Sequence, residues 1–152
     1  MLKRVCLPLT ALMLLGCEVE VAKSPEVEYL NAPGTENLDL PFSAAVRVDN
    51  TLYLSGALGN LPGSMELAEG GIAGETRQTL DNISATLETF GASMDDVVKC
   101  TVFLADINEW GAMNEVYRTY FTNPPARSAL GSSGLALGAR VEIECIAVLS
   151  GD

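Results

Sequence analysis

The chain has 152 residues, with nine basic and twenty acidic side chains, no histidine and a net charge of −11 at pH 7. That length suits one domain with a real core. The acidic balance, with no basic stripe to offset it, repels a phosphate backbone and weighs against nucleic acid as a partner. With no histidine and no CxxC pair among four cysteines, zinc and Cys–His catalysis have no support.

Residues 1–17 read as an export signal. Lys3 and Arg4 precede an apolar run from Val5 to Leu15, broken only by Pro8 and Thr10, that is too short to span a bilayer. The closing Leu14-Leu15-Gly16-Cys17 resembles the lipobox of bacterial lipoproteins, which implies lipidation of Cys17 and a lipid anchor on the periplasmic side of a bacterial membrane. An ordinary signal peptide fits the same charge and hydropathy. Without Lys3 and Arg4 the remainder carries seven basic and twenty acidic residues, a net −13. Residues 18–38, polar and broken by Pro25, Pro33 and Gly34, read as a tether, and residues 39–152 as the folded domain.

Phe42–Val48 and Thr51–Gly56 flank the turn pair Asp49-Asn50 and read as a β-hairpin. Ser55-Gly56 ends its second strand, where a glycine permits close approach of a ligand or another backbone. Asn60 to Gly74 is a glycine-rich loop without GxxxxGK[ST] spacing, so a nucleotide site is not supported. From Ala73 to Phe90, the residues Thr76, Leu80, Ile83, Leu87 and Phe90 recur at helical spacing, and Gly91 caps the end. Val97–Leu104 is β-branched and reads as a central strand. Asp106 or Asn108 caps a second helix through about Phe121, with Trp110, Met113, Val116, Tyr117, Tyr120 and Phe121 as a packing stripe.

Pro124 and Pro125 enforce an extended approach to Arg127. Val141 to Val148 then alternates as a strand, with Glu142 and Glu144 sharing a face with Ile146 and Val148, which read as buried. An always-charged planar fork plus a carboxylate beside an apolar wall suits binding a small carboxylic acid and activating water. A surface arginine and a solvated strand edge fit the same spacing. Cys6 and Cys17 belong to the signal; Cys100 and Cys145 read as buried, unpaired thiols, with a disulfide left to geometry. The order β-β-α-β-α-β-β makes a two-layer α+β sandwich, whose second sheet face calls for cover by another subunit.

The runs Gly74–Ile83, Val97–Asp106, Asn114–Tyr117, Pro125–Ser128 and Val141–Val148 together resemble the RidA (YjgF-type) family, in register from about Pro41 to Leu149. The resemblance implies a chorismate-mutase-like α+β fold and a homotrimer with three sites between subunits. It implies hydrolysis of 2-imino acids to 2-keto acids and ammonia without cofactor or metal. In that scheme Arg127 clamps the substrate carboxylate and Glu142 activates water. Ser55 and Gly56 line the pocket with position 42, Asn114 belongs to the substrate-binding set, and the backbone at Ala129 meets the imine nitrogen. Two positions depart from the family pattern: its usual tyrosine is Phe42 here and its usual cysteine is Ala129. The lost hydroxyl, worth about 0.5–1.5 kcal/mol as a hydrogen bond, implies a slower enzyme. A non-catalytic trimeric binder of small carboxylates fits the same residues. Ribonuclease activity, sometimes attributed to the family, fits poorly with the acidic charge and the missing histidine.

Overall fold

The computed structural model describes residues 23–31 and 40–150. The signal segment, Cys17 and most of the tether lie outside the described residues. Among the described residues, no helix is long and apolar enough to cross a membrane.

Four strands come first: β1 (Val27–Leu30), β2 (Ala45–Val48), β3 (Thr51–Leu54) and the two-residue β4 (Ala57–Leu58). They are followed by α1 (Gly71–Thr89), β5 (Val97–Leu104), α2 (Trp110–Tyr117), β6 (Ala126–Gly131) and β7 (Val141–Val148). The sheet runs β1-β2-β3-β7-β5-β6, with β4 also pairing β7. Only β5 and β6, joined through α2, run parallel among these pairs. The two helices cover one face of the sheet, and their buried residues merge with those of the strands into one core. This is the expected two-layer α+β arrangement.

Helix α1 forms because Ile72, Thr76, Leu80, Ile83 and Leu87 recur every three or four residues and are all buried. Its two buried threonines satisfy their hydroxyls locally, Thr76 donating to the Ile72 carbonyl at 2.6 Å and Thr79 to that of Glu75 at 2.8 Å. Gly91, at φ 79°, turns the chain out of the helix, and the Ala92 amide closes back on the Leu87 carbonyl at 2.9 Å. In β5 and β7 every second residue is buried: Val102 and Leu104, and Val141, Ile143, Cys145 and Ala147. Each fully buried Leu or Ile contributes roughly 1.5–3 kcal/mol by leaving water.

Four expectations need correction. Residues 27–30, assigned to the tether, form β1 and pair in register with β2, Val27 opposite Val48. This strand is almost wholly exposed, so it carries no apolar alternation to read. Helix α2 stops at Tyr117 rather than Phe121, although Asp106 does cap the preceding 3₁₀ turn, accepting the Asn108 amide at 2.9 Å. Ile146 is only half-buried and Val148 exposed, because their face of the sheet is the one without helices. Finally, Cys100 and Cys145 are not free thiols. They sit directly opposite on the antiparallel neighbours β5 and β7, with Cα atoms 4.1 Å apart, and form a disulfide. The strand pairing that opposes them comes from tertiary structure and leaves no local trace in the sequence.

The bridge closes a 45-residue segment, and constraining a loop of that length in the unfolded chain is worth about 4 kcal/mol. Urea unfolding of the oxidised protein and of the Cys100→Ala/Cys145→Ala double variant is expected to differ by about this amount. Identical midpoints would contradict a stabilising disulfide.

Candidate active site

The sequence-predicted site residues fall into two groups, with Arg127 and Glu142 on opposite faces of the sheet. Strand β6 pairs with β5 so that Arg127 lies beside Cys100 and Ala129 beside Val102, both buried core residues. Arg127 and Ala129 therefore point toward the helices, and Ala126, Ser128 and Leu130 point away. In β7, Ile143 is buried opposite Val102, while Glu142 pairs with Phe103 on the bare face. Arg127 and Glu142 cannot meet within one protomer.

On the helix side, Arg127 and Asn114 line a cavity of about 370 Å³ with Tyr117, Arg118, Phe121, Pro124 and Pro125. The Arg127 guanidinium carbon lies 4.5 Å from the Tyr117 ring centre and 5.9 Å from that of Trp110. Among the described residues no carboxylate forms an ion pair with Arg127, and none of its donors makes a side-chain hydrogen bond. Tyr117 is buried and its hydroxyl has no hydrogen-bond partner among the described residues. Burial pushes its pKa up to about 12, against a smaller downward pull from the Arg127 charge, so the phenol stays protonated at neutral pH. Because β6 is the last strand of the sheet among the described residues, half of its backbone donors and acceptors, around Ala129, face outward without a strand partner there.

The second group gathers around Glu142. Gly56 links β3 to β4, and a Cβ built there would collide with the Glu142 carboxylate oxygen, so glycine is what lets this side chain lie against the turn. Glu142 is half-buried and, among the described residues, has no hydrogen-bond or ion-pair partner. Phe42 and Gly56 line a groove of about 800 Å³ with Leu58, Met65, Phe90 and Leu137, walled on one side by Asn82, Thr86 and Thr89 of α1. Leu137 is held there at φ 61°, a conformation a branched-chain residue adopts only under surrounding constraint. Ser55 donates its hydroxyl to the Ser43 carbonyl at 2.7 Å, and so fixes the approach to β2 that carries Phe42.

Sequence reasoning missed three contributors. Trp110 and Tyr117 belong to the stripe read as packing only; both rings also face Arg127. Glu75 is 5% exposed and accepts the Arg140 amide at 2.8 Å, pinning the chain two residues before Glu142. Arg140 in turn holds Glu109 through its guanidinium, with Nε 3.1 Å from both carboxylate oxygens, tying the start of β7 to the approach to α2. Helical spacing of seven between Trp110 and Tyr117 was the one available signal for the first two. Nothing local marked Glu75. Among the described residues there is no group of three or more His, Cys, Asp and Glu side chains placed to hold a metal ion.

Gly56→Ala is expected to swing the Glu142 carboxylate out of its place without unfolding the chain, because Gly56 is not at positive φ. A crystal structure of the variant checks the displacement, and a thermal midpoint checks the fold. An unmoved Glu142 would contradict the steric argument.

The chain matches the family described as Endoribonuclease L-PSP over residues 32–149. It is 48% identical over 109 residues to the mouse 2-iminobutanoate/2-iminopropanoate deaminase, covering 71% of this chain and 81% of that protein. It is 46% identical over 123 residues to the human protein of the same name, covering 80% and 88%. The crystal structure of YEO7 from yeast superposes with a TM-score of 0.75 at 36% identity, over 82% of this chain and all of that one. With the profile matched over residues 32–149, the chain belongs to the Endoribonuclease L-PSP family, the RidA and YjgF group that its motifs resemble.

Proposed function

We propose that the protein hydrolyses 2-imino acids to 2-keto acids and ammonia, at sites built between subunits of a homotrimer. The observation that carries this reading is the pair of unsatisfied opposite charges on opposite sheet faces, Arg127 against the helices and Glu142 over Gly56. Each is half-buried and without an ion-pair or side-chain hydrogen-bond partner among the described residues; Arg127 lines a cavity, and Glu142 lies against Gly56, which itself lines a groove. Only a neighbouring copy can bring one to the other. The bare sheet face supports assembly too, since it exposes Tyr53, Leu130 and Val148 and half-exposes Phe103 and Ile146. The deaminase names of the mouse and human relatives support the chemistry.

In this reading Arg127 clamps the substrate carboxylate with its fork and thereby fixes the imine carbon. The outward backbone near Ala129 orients the imine nitrogen. Glu142 of the adjacent subunit takes a proton from water as the oxygen adds to the C=N carbon. That proton passes to nitrogen to give the carbinolamine. Its hydroxyl then gives up its own proton, relayed by Glu142 to nitrogen, so that the C–N bond breaks and ammonia leaves as the C=O bond forms. No electrons change hands. Cys17 anchors the protein in the cell envelope, where its substrates would be imino acids made outside the cytoplasm.

Phe42 favours a second reading. It places a ring without a hydroxyl in the groove beside Gly56, which suits a binder of small carboxylates whose catalytic shell has changed. The family description also names an endoribonuclease. A net charge of −13 outside the signal, with no histidine to act as acid or base, opposes that activity.

The test generates 2-iminopropanoate with an amino-acid oxidase and traps surviving imine with semicarbazide. The protein is expected to lower trapping, Arg127→Ala to abolish the effect with the trimer intact, and Glu142→Gln to slow turnover by about 10²-fold or more. An active Arg127→Ala protein would sink the assignment. Inert wild type that still binds 2-keto acids would install the binder in its place.

A further inference from the structure

Four of the described arginines show how this fold uses the residue. Arg47 meets Glu28 at 3.3 Å, Arg118 meets Glu115 at 3.1 Å, and Arg140 meets Glu109. Arg127 meets two aromatic faces instead. The difference is chemical. A carboxylate partner occupies the N–H donors at the edge of the guanidinium plane, whereas an aromatic face engages the cation and leaves those donors free. Trp110 opens α2 and Tyr117 closes it, seven residues and two turns apart, so both rings lie on one side of the helix and flank the same charge.

A second feature points the same way. Tyr117 is 5% exposed, yet its hydroxyl has no hydrogen-bond partner among the described residues. A buried O–H left unsatisfied is costly, and proteins rarely keep one without a use. The Tyr117 side chain that carries it helps line the cavity that Arg127 and Asn114 share. Phenylalanine would fill the same core position without that cost.

We propose that Trp110 and Tyr117 are positioning residues that hold Arg127 as an unoccupied, plane-fixed fork, and that the Tyr117 hydroxyl donates a further hydrogen bond to the carboxylate the fork binds. This rests on the reading of Arg127 as a carboxylate clamp and adds the groups that make it one. A carboxylate oxygen has two lone pairs, so one oxygen accepts from both an Arg127 N–H and the Tyr117 O–H. Burial keeps the phenol protonated, and so a donor, throughout the neutral range. The carboxylate does not change charge during imine hydrolysis. These groups therefore act on ground state and transition state alike, raising affinity and leaving turnover nearly untouched.

The test compares full-length wild type with Tyr117→Phe, Trp110→Leu, Trp110→Phe and Arg127→Ala. Pyruvate, the 2-keto acid product of the smallest substrate, is the calorimetric probe, and steady-state kinetics are run on 2-iminopropanoate. Tyr117→Phe is expected to weaken pyruvate binding and raise KM by about tenfold, the weight of one hydrogen bond to a charged group, with kcat within about twofold. Trp110→Leu is expected to do the same by about threefold, and Trp110→Phe, which restores a ring face, to recover most of it. Tyr117→Phe keeps the core ring, so its thermal midpoint should not fall. Wild-type affinity in both Tyr117→Phe and Trp110→Leu, with binding lost in Arg127→Ala, would overturn the aromatic seat and leave the deaminase reading standing. Undiminished pyruvate binding by Arg127→Ala would overturn the clamp itself, and the seat with it.

Discussion

The period of two along a β-strand is the constraint on which the rest of this structure depends. Val141, Ile143, Cys145 and Ala147 must face the helices to be buried, so Glu142 and Glu144 must face away. The parallel pairing of β6 with β5 then aligns Arg127 with Cys100 and sends it to the opposite side. A slip of one residue in either strand would exchange the faces, exposing the core and burying the charges. Three contacts hold that register: the Cys100–Cys145 bridge between central strands, the Glu75 carboxylate on the Arg140 amide, and the Arg140–Glu109 ion pair.

Separating the two charges has a chemical consequence. An arginine and a glutamate on one face would pair with each other, and each would lose the freedom to engage a ligand. Placed on opposite faces, neither has an ion-pair partner among the described residues. The cost of a half-buried unpaired guanidinium is offset by two aromatic rings, and that of the glutamate by its partial exposure. Under the proposed function, assembly is the step that would create the site. The same bare face that presents Glu142 carries the apolar side chains that a neighbouring copy would cover.

Much of the fold was legible because long periodic segments leave little choice. The bounds read for β5 and β7 agree with the strands observed, and those of α1 lie within two residues at its start and one at its end. What escaped was decided outside the local pattern. β1 is held by pairing at an exposed edge, β4 is only two residues long, and the disulfide depends on which strands become neighbours. The apolar character of Ile146 and Val148 was read as burial, although their face carries no helix. Arg127 and Glu142 were visible as candidates from motif and alternation. Their separation follows from that alternation together with the β5–β6 pairing, which the sequence does not print. Trp110 and Tyr117 looked like core because they are partly that; their second role requires knowing that β6 delivers an arginine between them.

The account stands on Arg127 and Glu142 acting from different subunits, and mixing two inactive proteins tests it most directly. Arg127→Ala and Glu142→Ala are each unfolded and refolded alone, then co-refolded in equal amounts, and imine hydrolysis is measured. Random assembly of a closed ring leaves about a quarter of the sites with an intact arginine on one side and an intact glutamate on the other, so activity should return to about that fraction of wild type. A mixture as inactive as its parents, with mixed trimers verified by mass, would place both residues in one protomer's site and contradict the account.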